Sequence, residues 1–315
     1  MKPVRRVALF GECMLELQGE AFGEMRQTFG GDTLNTAVYL ARCGAARGVS
    51  ASYATGLGED RLSEGMLQRW AEEGIGLELV RRIPGRMPGL YLIEVDARGE
   101  RSFSYWRDTS AAKAYFDAFS TPLEAAADSL DALYLSGISL AILPVAGRER
   151  LYALMRQMRE RGATVVFDNN YRPRLWATRE EAQQAFARAY ALSDIALVTA
   201  EDEQALHGLP DADAAVAHAL ALPSAEVVVK RGGGTTLVRR AGEALVEVPA
   251  ERVAQVVDTT AAGDSFAGGY LSVRLTGGSV REAASLGNRL AATVIQHRGA
   301  LIPREAMAAL MQPAA

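Results

Sequence analysis

Val256-Val257-Asp258-Thr259-Thr260-Ala261-Ala262-Gly263-Asp264-Ser265-Phe266-Ala267-Gly268-Gly269-Tyr270 runs from two β-branched residues through small ones and a glycine to an acid. Its second half reads as a helix. Gly268 and Gly269 each cost that helix about 1 kcal/mol relative to alanine, so something must come close there, either a neighbouring helix or a ligand. The N–H groups of Ala261, Ala262 and Gly263 fall at the helix N-terminus, where unpaired donors and the helix dipole make an anion site. A carboxylate at Asp264 is expensive to desolvate without a partner or a purpose. Local physics leaves two readings: a plain helix start with an N-terminal acid, and an anion-handling catalytic loop.

Upstream, short apolar strands alternate with amphipathic helices. Strands are predicted at Arg6–Phe10, Ser52–Leu57, Leu77–Arg82, Ala132–Leu135, Thr164–Phe167, Ile195–Val198 and Val227–Lys230, with return strands at Leu237–Val238 and Ala244–Val248. Helices are predicted at Arg61–Glu73, Val145–Arg161, from Glu201 to Leu206, and at Glu282–Gln296. This pattern argues for an α/β fold with a mostly parallel sheet covered on both faces. Ligands bind such sheets at the loops after strand C-termini, where Asp168 to Arg172, Lys230 to Thr235 and Thr259 to Asp264 all lie.

Two helix-poor regions stand apart, about residues 12–30 and 88–107. Met14–Leu17 and Met25–Phe29 are short and alternating, and Gly89–Val95 joins Arg101–Arg107 through a turn at 96–100. Tyr91, Ile93 and Val95 share one side of that hairpin, and Phe103, Tyr105 and Arg107 one side of its partner strand. These regions are expected to form a small β-sheet over the ligand edge. The aromatic and cationic face is either core plus a surface arginine or a surface for an anionic polar ligand. Between the two regions lies Gly30-Gly31-Asp32-Thr33-Leu34-Asn35. Its double glycine allows close backbone approach and leads into a helix, with Asn35 in the first turn. It has neither the G-x-G-x-x-G spacing of a dinucleotide site nor the Gly-Lys-Ser/Thr of a P-loop. Capping by Asp32 and binding of a polar small molecule both fit.

The 315 residues suffice for one large α/β unit. The net charge of −4 and the lack of a Lys/Arg block exclude a nucleic-acid surface. No apolar run approaches the ~20 residues of a membrane span, and the N-terminus is too short in apolar residues for a signal peptide. Cys13 and Cys43 have no ligand spacing and read as buried side chains in a reducing compartment, so a cytoplasmic protein is expected. His207, His218 and His297 show no motif spacing and are expected in ordinary surface or packing roles.

The segments Gly30–Asn35 and Asp258–Phe266, in this order and at this separation, resemble the ribokinase-like carbohydrate kinases of the PfkB family, and the likeness covers essentially the whole chain. Within that family the likeness is to the kinases of acidic keto sugars, through Gly11–Met14, Pro88–Tyr91, Tyr105–Arg107, Leu135–Ile138 and, above all, Phe167-Asp168-Asn169-Asn170-Tyr171-Arg172-Pro173-Arg174-Leu175-Trp176. The resemblance implies a three-layer α/β/α core with a small β-sheet lid, in a single kinase domain over 1–315. It implies ATP-dependent transfer of a phosphoryl group to the terminal hydroxyl of a keto-deoxy sugar acid, with Mg²⁺. Asp264 is then the general base, and the amides of Ala261, Ala262 and Gly263 are the anion hole.

By the same likeness, Gly31, Asp32 and Asn35 bind sugar hydroxyls, and Tyr91, Tyr105, Arg107 and Arg172 meet the rest of the substrate, with Arg172 alternatively turned to phosphate. Lys230, Gly232, Gly233, Gly234 and Thr235 form the nucleotide-phosphate loop, together with Ala261 and Gly263, and Asn288 lines the adenine pocket. Asp258 corresponds to a monovalent-cation (K⁺) ligand, with capping of its own loop as the alternative. The family's Asn-x-x-Glu, tied to Mg²⁺ and phosphate, is here Ala200-Glu201-Asp202-Glu203. Glu203 is kept and the asparagine is lost, which leaves at most an indirect link to Mg²⁺. A homo-oligomer, at least a dimer through the lid, is the family-consistent expectation. The alternatives are a kinase of the same fold acting on a neutral sugar or nucleoside, and a non-catalytic sugar-binding regulator.

Overall fold

The computed structural model describes residues 5–20, 22–95 and 101–312. The expected turn at 96–100 and the Val95 side chain lie outside the described residues. The chain begins with strand β1 (Arg5–Phe10), then β2 (Met14–Gly19) and β3 (Met25–Gly30). Helix α1 (Asp32–Gly44), β4 (Val49–Leu57), α2 (Arg61–Glu72) and β5 (Val80–Arg82) follow, then β6 (Leu90–Val95) and β7 (Arg101–Trp106). The regular α/β part continues with α3 (Pro122–Ala126), β8 (Ala132–Ser136), α4 (Gly137–Ala141), α5 (Val145–Glu160), β9 (Thr164–Asp168) and α6 (Arg179–Ala191). It closes with β10 (Ile195–Thr199), α7 (Ala200–His207), α8 (Ala212–Leu220), β11 (Glu226–Lys230), β12 (Thr236–Arg240), β13 (Val246–Val248), α9 (Ala262–Arg274), α10 (Val280–Val294) and α11 (Ala308–Met311).

Nine strands form one sheet in the order β13-β12-β11-β10-β9-β8-β1-β4-β5. From β5 to β11 every pairing is parallel, and only β12 and β13 are antiparallel. The period-2 pleat sorts the strand residues onto two faces. Ala8, Phe10, Leu133, Leu135, Val165, Phe167, Ala196 and Val198 join one core cluster. Val7, Leu9, Ala132, Tyr134, Val166, Ile195 and Leu197 join the other, with residues of α1, α2, α9 and α10. Both faces are covered, so the strands read as continuous apolar runs. The strand expected over Leu77–Arg82 is shorter than its pattern: only Val80–Arg82 pairs with β4, because Val80 N–H closes a turn onto Leu77 O at 3.0 Å.

The helix glycines find their explanation here. A Cβ on Gly268 would lie 2.6 Å from Tyr39 Cβ of α1, and one on Gly269 would lie 3.3 Å from Gly287 Cα of α10. Helix α9 is therefore pressed between two helices, and the propensity cost is offset by this contact rather than by a ligand. The second sheet has the order β3-β2-β6-β7, with β2 and β6 parallel and the outer pairings antiparallel. It is built from the two helix-poor regions, as their alternation predicts. No helix among the described residues is long and apolar enough to cross a membrane. Cys13 and Cys43 are free thiols, both buried.

Candidate active site

The C-terminal ends of β1, β9 and β11, the first turns of α1 and α9, and the small sheet converge on one cluster of charged and polar groups. Asp264 sits in the first turn of α9. The residue before this helix, Ala261, adopts a left-handed conformation (φ 60°, ψ 16°), unusual for a residue with a side chain and a marker of strain held for a purpose. Of the three amides expected to face an anion, that of Ala262 has a partner of its own. Ala262 N–H turns back to Thr259 O at 3.2 Å, closing the tight turn that the Ala261 conformation requires. The first intrahelical bond runs from Ser265 N–H to Ala261 O at 2.9 Å, so the N–H groups of Gly263 and Asp264 have no acceptor within the helix.

Asp264 Oδ2 accepts a 2.8 Å hydrogen bond from Asn35 Nδ2. Burial, followed by the nearby charge of Asp32, pushes the Asp264 carboxyl up to about 7, while Asn35 and Lys230 pull the other way. Asn35 Oδ1 is buried and has no hydrogen-bond partner among the described residues. Gly31 is required by close approach: a Cβ there would lie 2.2 Å from Glu12 O. Asp32 Oδ2 accepts a 2.6 Å bond from Asn170 Nδ2, a residue whose position in the likeness carried no role. Asn170 itself has a positive φ of 31°.

Lys230 ends β11 in the loop expected to hold phosphates, but its Nζ pairs with both oxygens of the buried Asp168, at 3.1 and 3.0 Å. Burial pushes the Asp168 carboxyl up, and the Lys230 charge opposes that rise. The ammonium is close to the anion site, since a Cβ on Gly263 would lie 3.6 Å from it. The following loop turns through Gly232 (φ 53°), with Gly234 N–H on Arg231 O at 2.8 Å and Thr235 O accepting from Arg231 Nε at 2.8 Å. Gly232, Gly233 and Gly234 are exposed.

Asn288, expected at the adenine pocket, bonds within the fold through both ends of its amide. Its Oδ1 accepts from Thr236 Oγ1 at 2.8 Å, and its Nδ2 donates to Val248 O and Pro249 O at 3.3 and 2.9 Å. The side chain pins the end of β13 to α10. Asp258 takes the capping role weighed for it: Thr260 N–H and Oγ1 donate at 3.0 and 2.6 Å and Gly299 N–H at 3.0 Å. Glu203 is fully buried. Its Oε2 accepts from Tyr190 O–H at 2.8 Å and Asn169 Nδ2 at 3.4 Å, and Oε1 faces His218 Nδ1 at 2.9 Å. Burial raises its pKa, but the bonds from His207 and Tyr190 outweigh this and hold it below the usual carboxylate range. No Mg²⁺ contact is derived through it. The acid of the same helix that borders the cluster is Asp202, ion-paired to Arg172 at 3.3 Å.

On the small sheet, Tyr91 O–H donates to Glu16, and the Tyr91 and Tyr105 rings stack with centroids 6.0 Å apart. Arg107 Nη2 donates to Glu12 Oε2, whose carboxylate is almost wholly buried. Glu12 Oε1 has no hydrogen-bond partner among the described residues and lies 2.9 Å from where a Gly89 Cβ would stand. Glu12 was missed as a functional residue. An acid right after a buried strand, next to a glycine, is the signal that marks it. Arg172 is half exposed and donates to Tyr171 O at 2.8 Å as well as to Asp202.

The arrangement can take a proton at Asp264, hold an anion at Gly263 and Lys230, and grip a polar, acidic molecule between the sheet edge and the small sheet. Known proteins are similar to this chain over nearly its whole length. The 2-dehydro-3-deoxygluconokinase of Escherichia coli K12 is 49% identical, over 97% of this chain and 99% of its own. That of Haemophilus influenzae is 41% identical over 98% of each. The crystal structure of aminoimidazole riboside kinase from Salmonella enterica, complexed with aminoimidazole riboside and an ATP analogue, superposes with a TM-score of 0.80 at 25% identity, over 98% of this chain and 100% of that one. Residues 4–307 match the description of the pfkB family carbohydrate kinases. With the ribokinase-like fold, the acid-tipped helix and this full-length similarity in agreement, the chain belongs to the pfkB family carbohydrate kinases.

Proposed function

We propose that the protein catalyses ATP-dependent phosphorylation of 2-dehydro-3-deoxy-D-gluconate to its 6-phosphate. The observation that carries this reading is Asp264: a carboxylate raised to about 7, tethered by Asn35 and standing at a strained helix start beside Lys230. A base titrating near neutrality balances protonation state against driving force. The terminal hydroxyl gives its proton to Asp264 as its oxygen attacks the γ-phosphorus. The new O–P bond forms as the bond to the ADP leaving group breaks. The amides of Gly263 and Asp264 receive the charge on the transferring group, where the resemblance had assigned Ala261 to Gly263.

Mg²⁺ enters with ATP as part of the donor substrate. Gly232, Gly233, Gly234 and Thr235 border the phosphates, and Lys230 moves from Asp168 towards them. Gly31, Asp32 and Asn35 take the sugar hydroxyls. Tyr91, Tyr105, Arg107 and Arg172 take the keto-acid end, each guanidinium keeping further N–H donors beyond its present bonds. The small sheet, residues 12–30 and 88–107, acts as a lid that excludes water within a single kinase domain over 1–315. Its exposed Phe103, Tyr105 and Trp106 support pairing of two lids in a homodimer. No step is derived through K⁺.

An assay of ADP release over a panel of keto-deoxy sugar acids, ribose, fructose and nucleosides tests the reading. The expected result is a preference for the acid. A neutral sugar or nucleoside turned over with higher kcat/KM would overturn the substrate, and no ADP release with any acceptor would overturn the reaction.

A further inference from the structure

We infer that Glu203, His207 and His218 form a binding site for a transition-metal dication of the Zn²⁺ class, distinct from the nucleotide's Mg²⁺. The chain has three histidines, and two of them converge on one carboxylate oxygen. Glu203 and His207 lie one turn apart on α7, a spacing that places both side chains on the same face. His218 reaches them from α8. Glu203 Oε1 stands 2.9 Å from His218 Nδ1 and 3.4 Å from His207 Nε2, and the three ligand atoms lie within 4.8 Å of one another. The imidazole centroids are 4.2 Å apart.

Zn²⁺ bonds of about 2.0–2.1 Å in a tetrahedral shell set neighbouring ligands roughly 3.3–3.5 Å apart. The His207 separation of 3.4 Å falls inside that range, and the His218 separation of 2.9 Å is shorter, so His218 need only draw back slightly to admit the ion. The far oxygen is already fixed: Tyr190 O–H and Asn169 Nδ2 hold Oε2 and leave Oε1 turned to the imidazoles. Such outer bonds orient a ligating carboxylate. Glu203 is fully buried, whereas the His207 and His218 side chains are 23% and 38% exposed, so an ion has an entry path and a fourth position open to water. One carboxylate and two neutral imidazoles suit a borderline-soft dication, whereas Mg²⁺ and Ca²⁺ favour oxygen shells. The site fastens α7 to α8. Through Asn169 it also adjoins the loop that carries Asp168 and Asn170.

The test uses the tag-free full chain, stripped with EDTA and dialysed, then titrated with Co²⁺ and with Zn²⁺. The expected result is one equivalent of Co²⁺ with the intense visible absorption of a four-coordinate ion, bleached when Zn²⁺ displaces it. His207→Gln and His218→Gln should each weaken Zn²⁺ binding by more than about 100-fold, and His297→Gln should leave it unchanged, with circular dichroism verifying the fold of each. Failure of the unmodified chain to take up an equivalent of either metal would overturn the site. So would an equivalent that persists in the double variant H207Q/H218Q.

Discussion

Asn35 Nδ2 and Asp264 Oδ2 meet at 2.8 Å across 229 positions of sequence, joining the first turns of α1 and α9. This one bond ties the glycine segment that opens α1 to the one that opens α9. It also acts on the base directly, because it favours the ionised carboxylate while burial and Asp32 oppose it.

Replacing Asp264 with Asn removes the proton acceptor and leaves the shape. The kcat is expected to fall by about 10²–10⁴-fold, with KM for the sugar acid little changed. Stability should move the other way. A folded-state pKa of about 7, raised from the ordinary 3.8, means that the native state loses stability as pH climbs through that window, since the ionised form is disfavoured on folding. D264N is exempt. Its melting temperature should exceed that of the unmodified protein at pH 8 and approach it at pH 4, as read by calorimetry.

The pH profile follows from the same group. The kcat/KM for the sugar acid should rise with pH and level off above about 7. Asn35→Ala removes a bond that lowers the pKa, so the acidic limb should shift to higher pH while the plateau is kept within an order of magnitude. A limb that stays in place in N35A would show that another group titrates.

What could be read in advance follows from range. The parallel core was legible because each strand is a short apolar run closed by a polar loop, and burial on both faces demands that pattern. The helix start that carries Asp264 was legible because it is a local device. The partners were not. The Lys230 pairing with Asp168 at 3.0 Å spans 62 positions and leaves no mark on the pattern of either segment. The bonds of Asn288 to Thr236 and Pro249 join residues 39 to 52 positions apart, which no local pattern displays. The Gly268-Gly269 pair left helix and ligand undivided, because only the third dimension puts Tyr39 on one side and Gly287 on the other.

Gly268 offers a test of packing alone. A methyl group there would come within 2.6 Å of Tyr39 Cβ and 2.8 Å of Leu40 N, and the α1 backbone cannot yield without moving Asn35. Gly268→Ala should destabilise by about 1–3 kcal/mol despite its better helix propensity. Denaturant unfolding at constant m measures this.

Lys230 and Asp168 separate pairing from phosphate binding. Lys230→Met leaves a buried carboxylate uncompensated, so stability should fall by about 3–5 kcal/mol. Adding Asp168→Asn should restore much of it, because the amide needs no counter-charge. If Lys230 also serves the nucleotide, KM for ATP in the double variant stays raised although the fold is recovered. Full recovery of both would reduce the lysine to a structural ion.

Glu12 and Arg107 pose the same question at the acid end of the site. Arg107 arrives already bonded to Glu12, which is nearly inaccessible and keeps its second oxygen without a hydrogen-bond partner among the described residues. The carboxylate therefore fixes where the guanidinium points. Arg107→Met alone would strand a buried charge, so a loss of activity in it would mix misfolding with lost recognition. The informative variant is Glu12→Gln, which keeps the shape and one acceptor but removes the negative charge. A guanidinium relieved of its partner charge attracts the substrate carboxylate more strongly but is held less firmly. KM for the acid should therefore change little or fall, while kcat drops roughly tenfold as the reacting hydroxyl loses its alignment with Asp264. Steady-state kinetics of E12Q against the E12Q/R107M pair reads this directly. In the pair, KM for the acid should rise at least about tenfold, and an unchanged KM there would remove Arg107 from substrate recognition.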